Sequence, residues 1–468
     1  MYDVAVIGAG VVGAAIAREL AVRGADVVLV DAEDDVGNAT SKANTAILHT
    51  GFDAKPGTLE SRLVARGHTL LSAYARRAGI PLEPLGALLV AWDDEQLAAL
   101  PGLREKAEHN GYRSARVIGA SEVRAREPHV GAHALGALEV PDEGIVCPWT
   151  PTLAFVTEAK RHGATVLLST RVRGAEPRAD HVELATTAGG VRAREVVNAA
   201  GLGSDTVHRM FGHATFTVTP RRGQLIVFDK LARRLINHVI LPVPTAMGKG
   251  VLVAPTVYGN VMLGPTAENL DDKRATESTE EGLAQLRAKG AHIIPELLGE
   301  EVTTIYAGLR AATEHDDYQV SFHPDQHYTC VGGIRSTGLT SGMAIAEHVA
   351  AQLGQRHGLD LGEAPAPDGL PEPPRMPPIG QAQSRPYQQP ERIAADPSYG
   401  QVVCFCERVS RGEIRDALCS DLPPATADGL RRRTRAGMGR CQGFFCGAAV
   451  RRLLDDGPDA PLTAEVDQ

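Results

Sequence analysis

A glycine-rich turn near the start of the chain constrains its fold more than any other feature. The run Gly8–Gly13 reads Gly-Ala-Gly-Val-Val-Gly and joins a predicted buried strand, Tyr2–Gly8, to a predicted helix, Val12–Arg23. A second predicted strand follows at Ala25–Val30 and ends at Asp31. Strand, helix and strand in this order form a βαβ unit, which requires a parallel sheet. The sequence therefore predicts an α/β domain built on this unit.

The three glycines of this turn have distinct roles in a nucleotide-binding unit. Gly8 permits the tight turn, Gly10 lets a pyrophosphate approach the backbone, and Gly13 lets the helix pack on the strand. The helix N-terminus favours phosphate charge, and Asp31 is placed to accept hydrogen bonds from ribose hydroxyls. Because strand, helix and acid all stand in place, a chance glycine-rich turn explains the pattern poorly. The pattern predicts dinucleotide binding but does not distinguish FAD from NAD.

Length and composition fit a globular protein of two or three domains. The chain has 468 residues, of which 43% are hydrophobic and 22% charged, as is ordinary for such proteins. A nucleic-acid-binding protein would more often carry a basic balance than the formal net charge of -9 found here. No signal peptide is recognised, and no apolar run reaches membrane-spanning length. We therefore expect a cytoplasmic protein that reaches the inner face of a membrane only through a partner.

The middle of the chain predicts a second sheet inserted into the first domain. Pro81–Val140 and Thr215–Ile305 mix short strands with polar turns, which is typical of a largely antiparallel sheet. Arg194–Ala200 and His327–Gly333 are again apolar enough to be buried strands. We expect these last two segments to return to the parallel sheet.

A proline-rich stretch divides the chain. Ten prolines lie between Pro365 and Pro397, with almost no apolar periodicity. Such a composition predicts a semi-rigid extended linker and not a packed element. The predicted division is a body over residues 1–355, a linker over 356–398 and a tail domain over 399–468.

Three further segments favour FAD over NAD. Val196–Gly201 is a strand that ends in small residues and glycine, and the small turn Leu202–Asp205 follows it. Together with Thr40–Gly51 and Gly333–Thr340, these segments resemble the flavin-binding strand, loop and C-terminal turn of the D-amino-acid-oxidase superfamily. The resemblance covers residues 1–355, nearly the whole body.

This resemblance implies a fold class and a cofactor site. The fold is expected to be α/β, with a Rossmann-type FAD-binding domain, an inserted mainly antiparallel β substrate domain and a small α-rich tail. Besides the glycines and Asp31 of the first turn, the resemblance assigns flavin contacts to Thr40, Ser41, Asn44, Ala200, Gly201, Gly333, Gly338, Leu339 and Thr340.

Within that superfamily the chain resembles FAD-dependent glycerol-3-phosphate dehydrogenases and oxidases. The similar segments are short, but their order and spacing are specific: Arg222–Gln224, Val253–Thr256, Gly264–Glu268 and Gly308–Ala311. L-2-hydroxyglutarate oxidases are close neighbours of these enzymes. The resemblance implies oxidation of a small anionic secondary alcohol, most simply glycerol 3-phosphate to dihydroxyacetone phosphate, with a 2-hydroxy acid as the alternative.

Four residues are candidates for binding and oxidising such a substrate. His49 is the candidate base, because imidazole titrates near neutral pH, although a lone histidine is more often structural. Arg310 is the candidate for holding the substrate anion, since guanidinium groups suit carboxylate and phosphate. Lys249 and Ser336 are weaker candidates for the same pocket, and Lys249 could equally lie in an exposed hairpin turn.

One position departs from the resemblance. Many glycerol-3-phosphate dehydrogenases carry an arginine two residues after the glycine of the loop that contains His49, and this chain has Asp53 there. A carboxylate does not hold phosphate. The shorter glycerol-phosphate oxidases and the 2-hydroxyglutarate enzymes also lack that arginine, so the departure leaves the substrate open and the reaction class unchanged.

The cysteines near the C-terminus predict a metal cluster. Cys404-x-Cys406 is followed, after 34 residues, by Cys441-x4-Cys446. Four thiolates suit a [2Fe-2S] cluster; zinc is the competing metal, but zinc ribbons usually space both pairs as C-x2-C. The pattern resembles the bacterioferritin-associated-ferredoxin-like [2Fe-2S] domain, and the flanking sequence strengthens that resemblance.

The basic run of the tail and the three remaining cysteines of the chain have simpler interpretations. The basic run Arg431–Arg440 predicts a solvated face, or a positive charge that offsets an anionic cluster. Cys147, Cys330 and Cys419 lie outside the cluster pattern and are expected to be small buried hydrophobic residues. Ser410 and Glu413 have the spacing of a capping box at a helix start.

Alternatives for the whole chain remain at this point. An amine oxidoreductase for proline, sarcosine or a related amino acid would use the same body and tail, but the chain is only 4% aromatic and shows no aromatic cage. A flavin-stabilised scaffold without enzymatic activity fits the flavin loops less well. If the chain is a dehydrogenase, the resemblance implies that its electron-transfer partner is an iron–sulfur or quinone-linked protein.

Overall fold

The computed structural model describes residues 1–244, 250–362 and 372–462. The helices of this part are α1 (Val11–Val22), α2 (Leu59–Ala78), α3 (Asp94–His109), α4 (Ala120–Arg126), α5 (Thr150–Arg161), α6 (Ser204–Met210), α7 (Glu280–Ile293), α8 (Gly338–His357), α9 (Pro390–Ala395), α10 (Arg411–Leu418), α11 (Ala427–Thr434) and α12 (Gly447–Asp455). Short 3-10 turns lie at Thr40–Lys42, Gly201–Gly203, Lys230–Leu235, Pro295–Gly299, Pro324–Gln326, Pro386–Gln388 and Pro397–Gly400.

The strands of the same residues form two large sheets and two small ones. They are β1 (Tyr2–Ile7), β2 (Val27–Val30), β3 (Ile47–Leu48), β4 (Leu82–Glu83), β5 (Ala87–Ala91), β6 (Arg116–Gly119), β7 (Gly136–Val140), β8 (Gly144–Val146), β9 (Thr165–Leu167), β10 (Val172–Pro177), β11 (Val182–Thr186), β12 (Gly189–Asn198), β13 (Thr219–Phe228), β14 (Val239–Pro242), β15 (Leu252–Pro255), β16 (Val261–Gly264), β17 (Glu268–Asn269), β18 (Val302–Ala312), β19 (Gln319–His323), β20 (Tyr328–Gly332), β21 (Val402–Cys404) and β22 (Val409–Ser410).

The first sheet is the predicted parallel one. Its order is β10-β11-β12-β1-β2-β9, with β20 paired to β12 and β19 to β20. The pairs β1–β2, β1–β12, β2–β9 and β12–β20 are parallel, and the pairs β10–β11, β11–β12 and β19–β20 are antiparallel. The two late segments expected to return to this sheet are β12 and β20, which confirms that prediction. Helix α1 packs against this sheet, and α5 and α8 pack on α1.

The second sheet confirms the inserted, mainly antiparallel domain. Its order is β17-β13-β16-β15-β14-β5-β7-β6, with β18 paired to β13. All its pairs are antiparallel except β14 with β5. Its core is apolar, with Leu88, Phe228 and Leu263 at most 2% exposed. The sheet extends to Ala312, seven residues beyond the predicted insert.

The predicted linker is partly wrong. Residues 363–371 lie outside the described part, but the segment from residue 372 onwards packs against the body. Ile379 is 3% exposed, Met376 N–H donates to the Ala78 carbonyl at 2.8 Å, and Gln381 N–H donates to the Val257 carbonyl at 2.7 Å. Proline does not prevent such packing, because it removes donors from its own nitrogens only.

The tail forms a small domain around its own apolar core. Val409, Ile414 and Leu430 are fully buried in it. The expected capping box starts α10: the Ser410 N–H donates to Glu413 Oε2 at 2.9 Å, and the Glu413 N–H donates to Ser410 Oγ at 3.4 Å. Within the described residues, no helix combines the length and the apolar character that a membrane crossing requires.

The tail is docked on the body through buried ion pairs. Asp35, at 2% exposure, accepts hydrogen bonds from Arg432 Nη2 at 2.7 Å and from Arg433 Nη1 and Nη2 at 2.7 and 2.8 Å. These arginines hold the pKa of Asp35 below its ordinary value, although burial alone would raise it. The expectation of a solvated face is therefore wrong for Arg432 and Arg433.

A second ion-pair group lies beside the first. Glu407 pairs with Arg435 Nε at 2.8 Å and with Lys230 of the body at 3.1 Å. The Arg435 guanidinium lies over the ring of Tyr258, 3.9 Å from its centroid, and Tyr258 stacks on Trp149. Trp149 Nε1 donates to the carbonyl of Lys42, in the predicted flavin loop. The tail is thus connected to that loop by a continuous chain of contacts.

Candidate active site

A cavity of about 1160 Å³ lies between the two large sheets. Of the predicted catalytic residues, it is lined by His49, Arg310 and Ser336. Of the predicted flavin contacts, it is lined by Gly10, Thr40, Ser41, Asn44, Gly201, Gly333, Gly338 and Leu339. Lys249 lies outside the described residues. Segments far apart in the sequence thus meet at one site, large enough for a dinucleotide and a small substrate.

The glycine-rich turn has the geometry that a close phosphate approach requires. Gly8 has φ of 107°, a conformation that side chains other than glycine rarely adopt. A Cβ on Gly13 would lie 1.8 Å from the carbonyl oxygen of Gly8, so the helix packs on the strand only with glycine there. Both residues shape the turn beneath the cavity, and Gly10 lines it.

Asp31 is held at the end of β2 by the backbone. Its carboxylate accepts hydrogen bonds from the N–H groups of Ala9 and of Glu33. Burial raises the pKa of Asp31 despite these bonds. The side chain therefore lies beside the glycine-rich turn, as the ribose-binding assignment requires, although it does not line the cavity itself.

The predicted flavin loop is held in place by hydrogen bonds of its own side chains. Asn44 Nδ2 donates to the Ser41 carbonyl at 2.8 Å, and Asn44 Oδ1 accepts from the Ala46 N–H at 2.7 Å. Ser41 Oγ accepts from the Val11 N–H at 2.9 Å, at the start of α1. Thr40 Oγ1 donates to the Leu309 carbonyl at 2.9 Å. The loop thereby joins α1 to β18 across the cavity.

Thr340 and Ala200, also predicted flavin contacts, do not line the cavity. Thr340 is fully buried, and its hydroxyl accepts from the His49 N–H at 3.1 Å and donates to the Ile47 carbonyl at 3.4 Å. Ala200 lies beside Gly201 without lining the cavity. Thr340 therefore supports the loop that carries His49, a role that its position in the sequence did not indicate.

His49 is oriented by an acid that the sequence analysis missed. Its Nδ1 lies 3.1 Å from Oε2 of Glu143, a residue with 0% exposure. The other carboxylate oxygen accepts from the Thr50 N–H at 2.6 Å and from the Thr50 hydroxyl at 3.0 Å. A carboxylate at Nδ1 favours the tautomer that leaves Nε2 unprotonated. The pair therefore presents a proton acceptor within the cavity.

Arg310 offers a partly buried positive charge to the same cavity. Its Nη1 donates to the Thr266 carbonyl at 3.4 Å, and none of the ion pairs among the described residues involves it. Burial, together with the nearby charge of Arg221, lowers the pKa of Arg310 to about 10. The group stays charged at neutral pH, and an anionic ligand would relieve the cost of burying it.

The glycine of the Arg222-Gly223-Gln224 segment makes room for this guanidinium. A Cβ on Gly223 would lie 3.0 Å from Nη2 of Arg310 and 2.9 Å from Cβ of Pro265. Arg221, also missed by the sequence analysis, lines the cavity, with its Nε donating to Asn269 Oδ1 at 2.8 Å. Asp53 lines the cavity as well, so an acid does stand near the expected substrate position.

The four cluster cysteines come together in the tail. Cys404 lies close enough to Cys446, and Cys406 close enough to Cys441, for the thiols of each pair to shift one another's pKa. The Gly437 N–H lies 3.5 Å from Cys404 Sγ, as is typical of backbone amides that stabilise cluster thiolates. Two adjacent thiol pairs fit the donor set of a [2Fe-2S] cluster, two per iron.

The other cysteines were predicted correctly in two cases of three. Cys147 and Cys330 are fully buried, but Cys419 is exposed. Cys419 directly follows α10 as its C-cap residue. The prediction failed there because amino-acid type alone does not indicate which side of a helix end faces the solvent.

Comparisons with known proteins find two family models that match separate parts of the chain. Residues 3–352 match the model of the FAD dependent oxidoreductase family, and residues 402–456 match that of the BFD-like [2Fe-2S] binding domain. The chain is 35% identical over 462 residues to the glycerol 3-phosphate dehydrogenase of Caloramator mitchellensis, covering 97% of this chain and 94% of that protein.

Two further comparisons are informative. One of the subunits of the anaerobic glycerol-3-phosphate dehydrogenase of Escherichia coli K12 is 28% identical, over 97% of this chain and 88% of its own length. The solved structure of reduced L-alpha-glycerophosphate oxidase from Mycoplasma pneumoniae, with FAD bound, aligns with a TM-score of 0.74 at 26% identity. That alignment covers 80% of this chain and 99% of the oxidase.

Proposed function

Because this chain belongs to the family of FAD-dependent oxidoreductases and carries a [2Fe-2S] domain, we propose that it oxidises glycerol 3-phosphate to dihydroxyacetone phosphate. The observation that carries the proposal is that His49, whose ring is held by Glu143, and the partly buried Arg310 line one cavity. The named relatives support the substrate, since their names state glycerol 3-phosphate or glycerophosphate.

The residues of the chain divide the reaction between them. Arg310 holds the phosphate and so fixes the position of the secondary alcohol. His49 Nε2 takes the hydroxyl proton, and Glu143 stabilises the imidazolium that forms. The flavin, when bound, supplies the acceptor for the hydride that leaves the carbon. Ser336 and Arg221 complete the polar wall that faces the phosphate.

A 2-hydroxy acid is the second candidate substrate. An arginine fork binds carboxylate as well as phosphate, and Asp53 stands where many relatives have a further cation. Amine substrates are less well supported: among the described residues lining the cavity, Phe52 is the only one with a phenylalanine, tyrosine or tryptophan ring, so no aromatic cage is formed there.

Anaerobic flavin bleaching tests the substrate. Purified protein with bound FAD is mixed in turn with glycerol 3-phosphate, L-2-hydroxyglutarate, L-proline and sarcosine. We expect glycerol 3-phosphate to bleach the flavin band fastest at equal concentration. Faster bleaching by L-2-hydroxyglutarate would identify the 2-hydroxy acid as the better substrate. Bleaching by an amino acid alone would overturn the proposed reaction class.

We further propose that the tail domain passes the electrons to a redox partner, one linked to quinone at the membrane. Phe405, Phe444 and Phe445 are 75%, 84% and 75% exposed and stand in the two loops that carry the cluster cysteines. Exposed aromatic groups of this density mark interaction surfaces. A partner that covers them comes within reach of the cluster.

The surface is tested by polar substitution. The double variant Phe444→Ser/Phe445→Ser should reduce a small dye as fast as the wild type, because its flavin is unchanged. Its electron transfer to membrane particles from the source cells should fall at least tenfold. Leu231→Ser, which changes an exposed side chain of the body, is the matched control. Equal transfer by all three proteins would exclude this surface.

A further inference from the structure

Three histidines of the body lie together away from the substrate cavity. His208 is in the last turn of α6, His213 follows that helix, and His323 ends β19. The rings of His213 and His323 stack with centroids 3.9 Å apart, and those of His208 and His213 with centroids 4.9 Å apart. One nitrogen of each ring lies within 4.8 Å of one nitrogen of both other rings.

Each imidazole uses a ring nitrogen to bond a neutral side chain. His213 Nε2 lies 2.7 Å from Gln326 Oε1, which only accepts, so that nitrogen carries the proton and Nδ1 keeps its lone pair. His323 Nε2 lies 2.9 Å from Ser321 Oγ. Metal-binding histidines are usually oriented in this way through the nitrogen that does not bind the metal.

His208 is anchored more deeply. Its Nδ1 lies 3.0 Å from the hydroxyl of Tyr328, which also accepts a hydrogen bond from Asn198 Nδ2 at 3.0 Å. Its Nε2 lies 3.0 Å from Oγ1 of Thr215. His208 is 1% exposed, whereas the other two rings are half-buried. The group is therefore open to solvent on one side and fixed on the other.

The charge state suits cation binding. Burial, and then the neighbouring histidines, lower the pKa of His208 to about 4, and the same causes lower that of His323. Neutral imidazoles keep the lone pairs that a metal needs. The adjacent cation, Arg209, is paired with Asp205 on the same helix at 3.3 Å, which reduces its repulsion of a bound ion.

We propose that His208, His213 and His323 form a binding site for a divalent transition metal, with Zn²⁺ as the best fit. Imidazole nitrogens prefer zinc and its neighbours, whereas Mg²⁺ and Ca²⁺ take oxygen ligands. A tetrahedral zinc with bonds of about 2.0–2.1 Å needs nitrogens about 3.3 Å apart, so ring nitrogens that lie within 4.8 Å of one another must close by at most roughly 1.5 Å. Release of Thr215 from His208 Nε2 permits that movement.

Such an ion would join two parts of the parallel-sheet domain. His208 and His213 belong to the segment that follows β12, whereas His323 belongs to the antiparallel hairpin of β19 and β20. Metal binding would hold this hairpin against α6 and stabilise the folded state by mass action. The site is independent of the proposed reaction, because none of the three residues lines the substrate cavity.

The test uses the full chain with FAD and cluster loaded, so that the cluster cysteines are occupied. After EDTA treatment and buffer exchange, the protein is titrated with ZnCl2 by calorimetry, and bound zinc is measured by elemental analysis. We expect one zinc per chain and a rise in Tm on zinc addition. The cluster absorption must stay unchanged during the titration.

Variants identify the ligands. His213→Gln and His323→Gln should each weaken zinc binding by at least about tenfold and abolish the rise in Tm, and Gln326→Ala should weaken it by about 10–100-fold. His348→Gln, at a half-buried histidine of α8 outside the group, should bind as the wild type does. The proposal is overturned if the wild type takes up no zinc at 100-fold excess, or if His213→Gln, at a half-buried turn position, binds zinc undiminished.

Discussion

At the level of single residues, the imidazole of His49 is held by a carboxylate that is itself fully buried and bonded through both oxygens. Glu143 therefore cannot turn away from His49 without losing its bonds to Thr50. This arrangement fixes the His49 ring and its tautomer before any substrate binds. Catalysis gains from such positioning because no reorganisation is needed during the reaction.

Substitution of the pair separates its two roles. His49→Ala should bind FAD normally but be reduced by glycerol 3-phosphate about 10²–10⁴-fold more slowly, the range typical of a lost general base. Glu143→Gln keeps a hydrogen-bonding group of the same size and should slow reduction less, while shifting its pH dependence. Anaerobic stopped-flow reduction of the flavin measures both. A His49→Ala rate close to that of the wild type would exclude His49 as the base.

Arg310 is expected to act mainly on substrate binding. Arg310→Ala removes a charged fork from a shielded pocket, which should raise KM for glycerol 3-phosphate by one to three orders of magnitude, since a charge-assisted bond is worth roughly 1.5–3 kcal/mol and more when the anion is left unpaired. Gly223→Ala should act in the same direction, because its methyl group would displace the guanidinium. Steady-state kinetics with a dye acceptor measure both variants. An unchanged KM in Arg310→Ala would show that another group binds the anionic end of the substrate.

The sequence predicted some of these residues and not others for a physical reason. Gly8, Gly13 and Asp31 were identified because a phosphate turn imposes a fixed order of residue types. Arg310 and His49 were identified through the resemblance of their segments to a known family. Glu143 was missed because an acid in a polar turn has no periodic signal, and its contact with His49 spans 94 positions.

At the level of elements, α11 changes the interpretation of the basic run. Its arginines face Asp35, a residue nearly 400 positions earlier, so no local pattern could indicate the contact. The strands β12 and β20 were predictable because a strand buried on both faces is a continuous apolar run. The packed segment after residue 372 was not predictable, because its contacts depend on the shape of the body.

Removal of the buried carboxylate should loosen the tail. Asp35→Asn leaves two arginines without their buried partner, a change that typically costs about 3–5 kcal/mol. We expect faster hydrogen exchange in α11 and a lower Tm. Asp421→Asn is the matched control, because its pair with Arg161 is exposed and such pairs contribute about 0–1 kcal/mol. Equal exchange in the two variants would show that Asp35 does not hold the tail.

The same pair predicts how docking depends on pH. The pKa of Asp35 is lowered in the folded chain from an ordinary value of 3.8. A carboxylate with a lowered pKa stabilises the folded state above its unfolded pKa, and this contribution is lost as the pH falls through the folded value. Docking should therefore be insensitive to pH between 5 and 8 and weaken below about 4. In Asp35→Asn this weakening should be smaller, as hydrogen exchange of α11 at several pH values would show.

At the level of the whole molecule, the body and tail have separate apolar cores but a shared, charged interface. The described residues that line the substrate cavity end at Leu339, well before the tail begins. The interface, however, buries Asp35 and covers Tyr258 with Arg435. Flavin binding should therefore depend little on the tail, whereas stability of the body should depend on it.

Truncation near Pro365 tests this division. We expect the truncated chain to fold, to bind FAD and to be reduced by glycerol 3-phosphate, because the flavin and substrate residues are all retained. Its Tm should fall, because Asp35 loses both arginines. In addition, the body surface against which Ile379 packs in the full chain becomes exposed to water. Flavin content, Tm and anaerobic stopped-flow reduction are measured on both forms, followed by mixing with membrane particles from the source cells.

Reoxidation by the particles should be lost in the truncated form, whereas a small dye should reoxidise both forms equally. If the truncated chain bound FAD but was not reduced by substrate, the tail would have to help build the active site; if the particles reoxidised both forms equally, the cluster would be off the electron path.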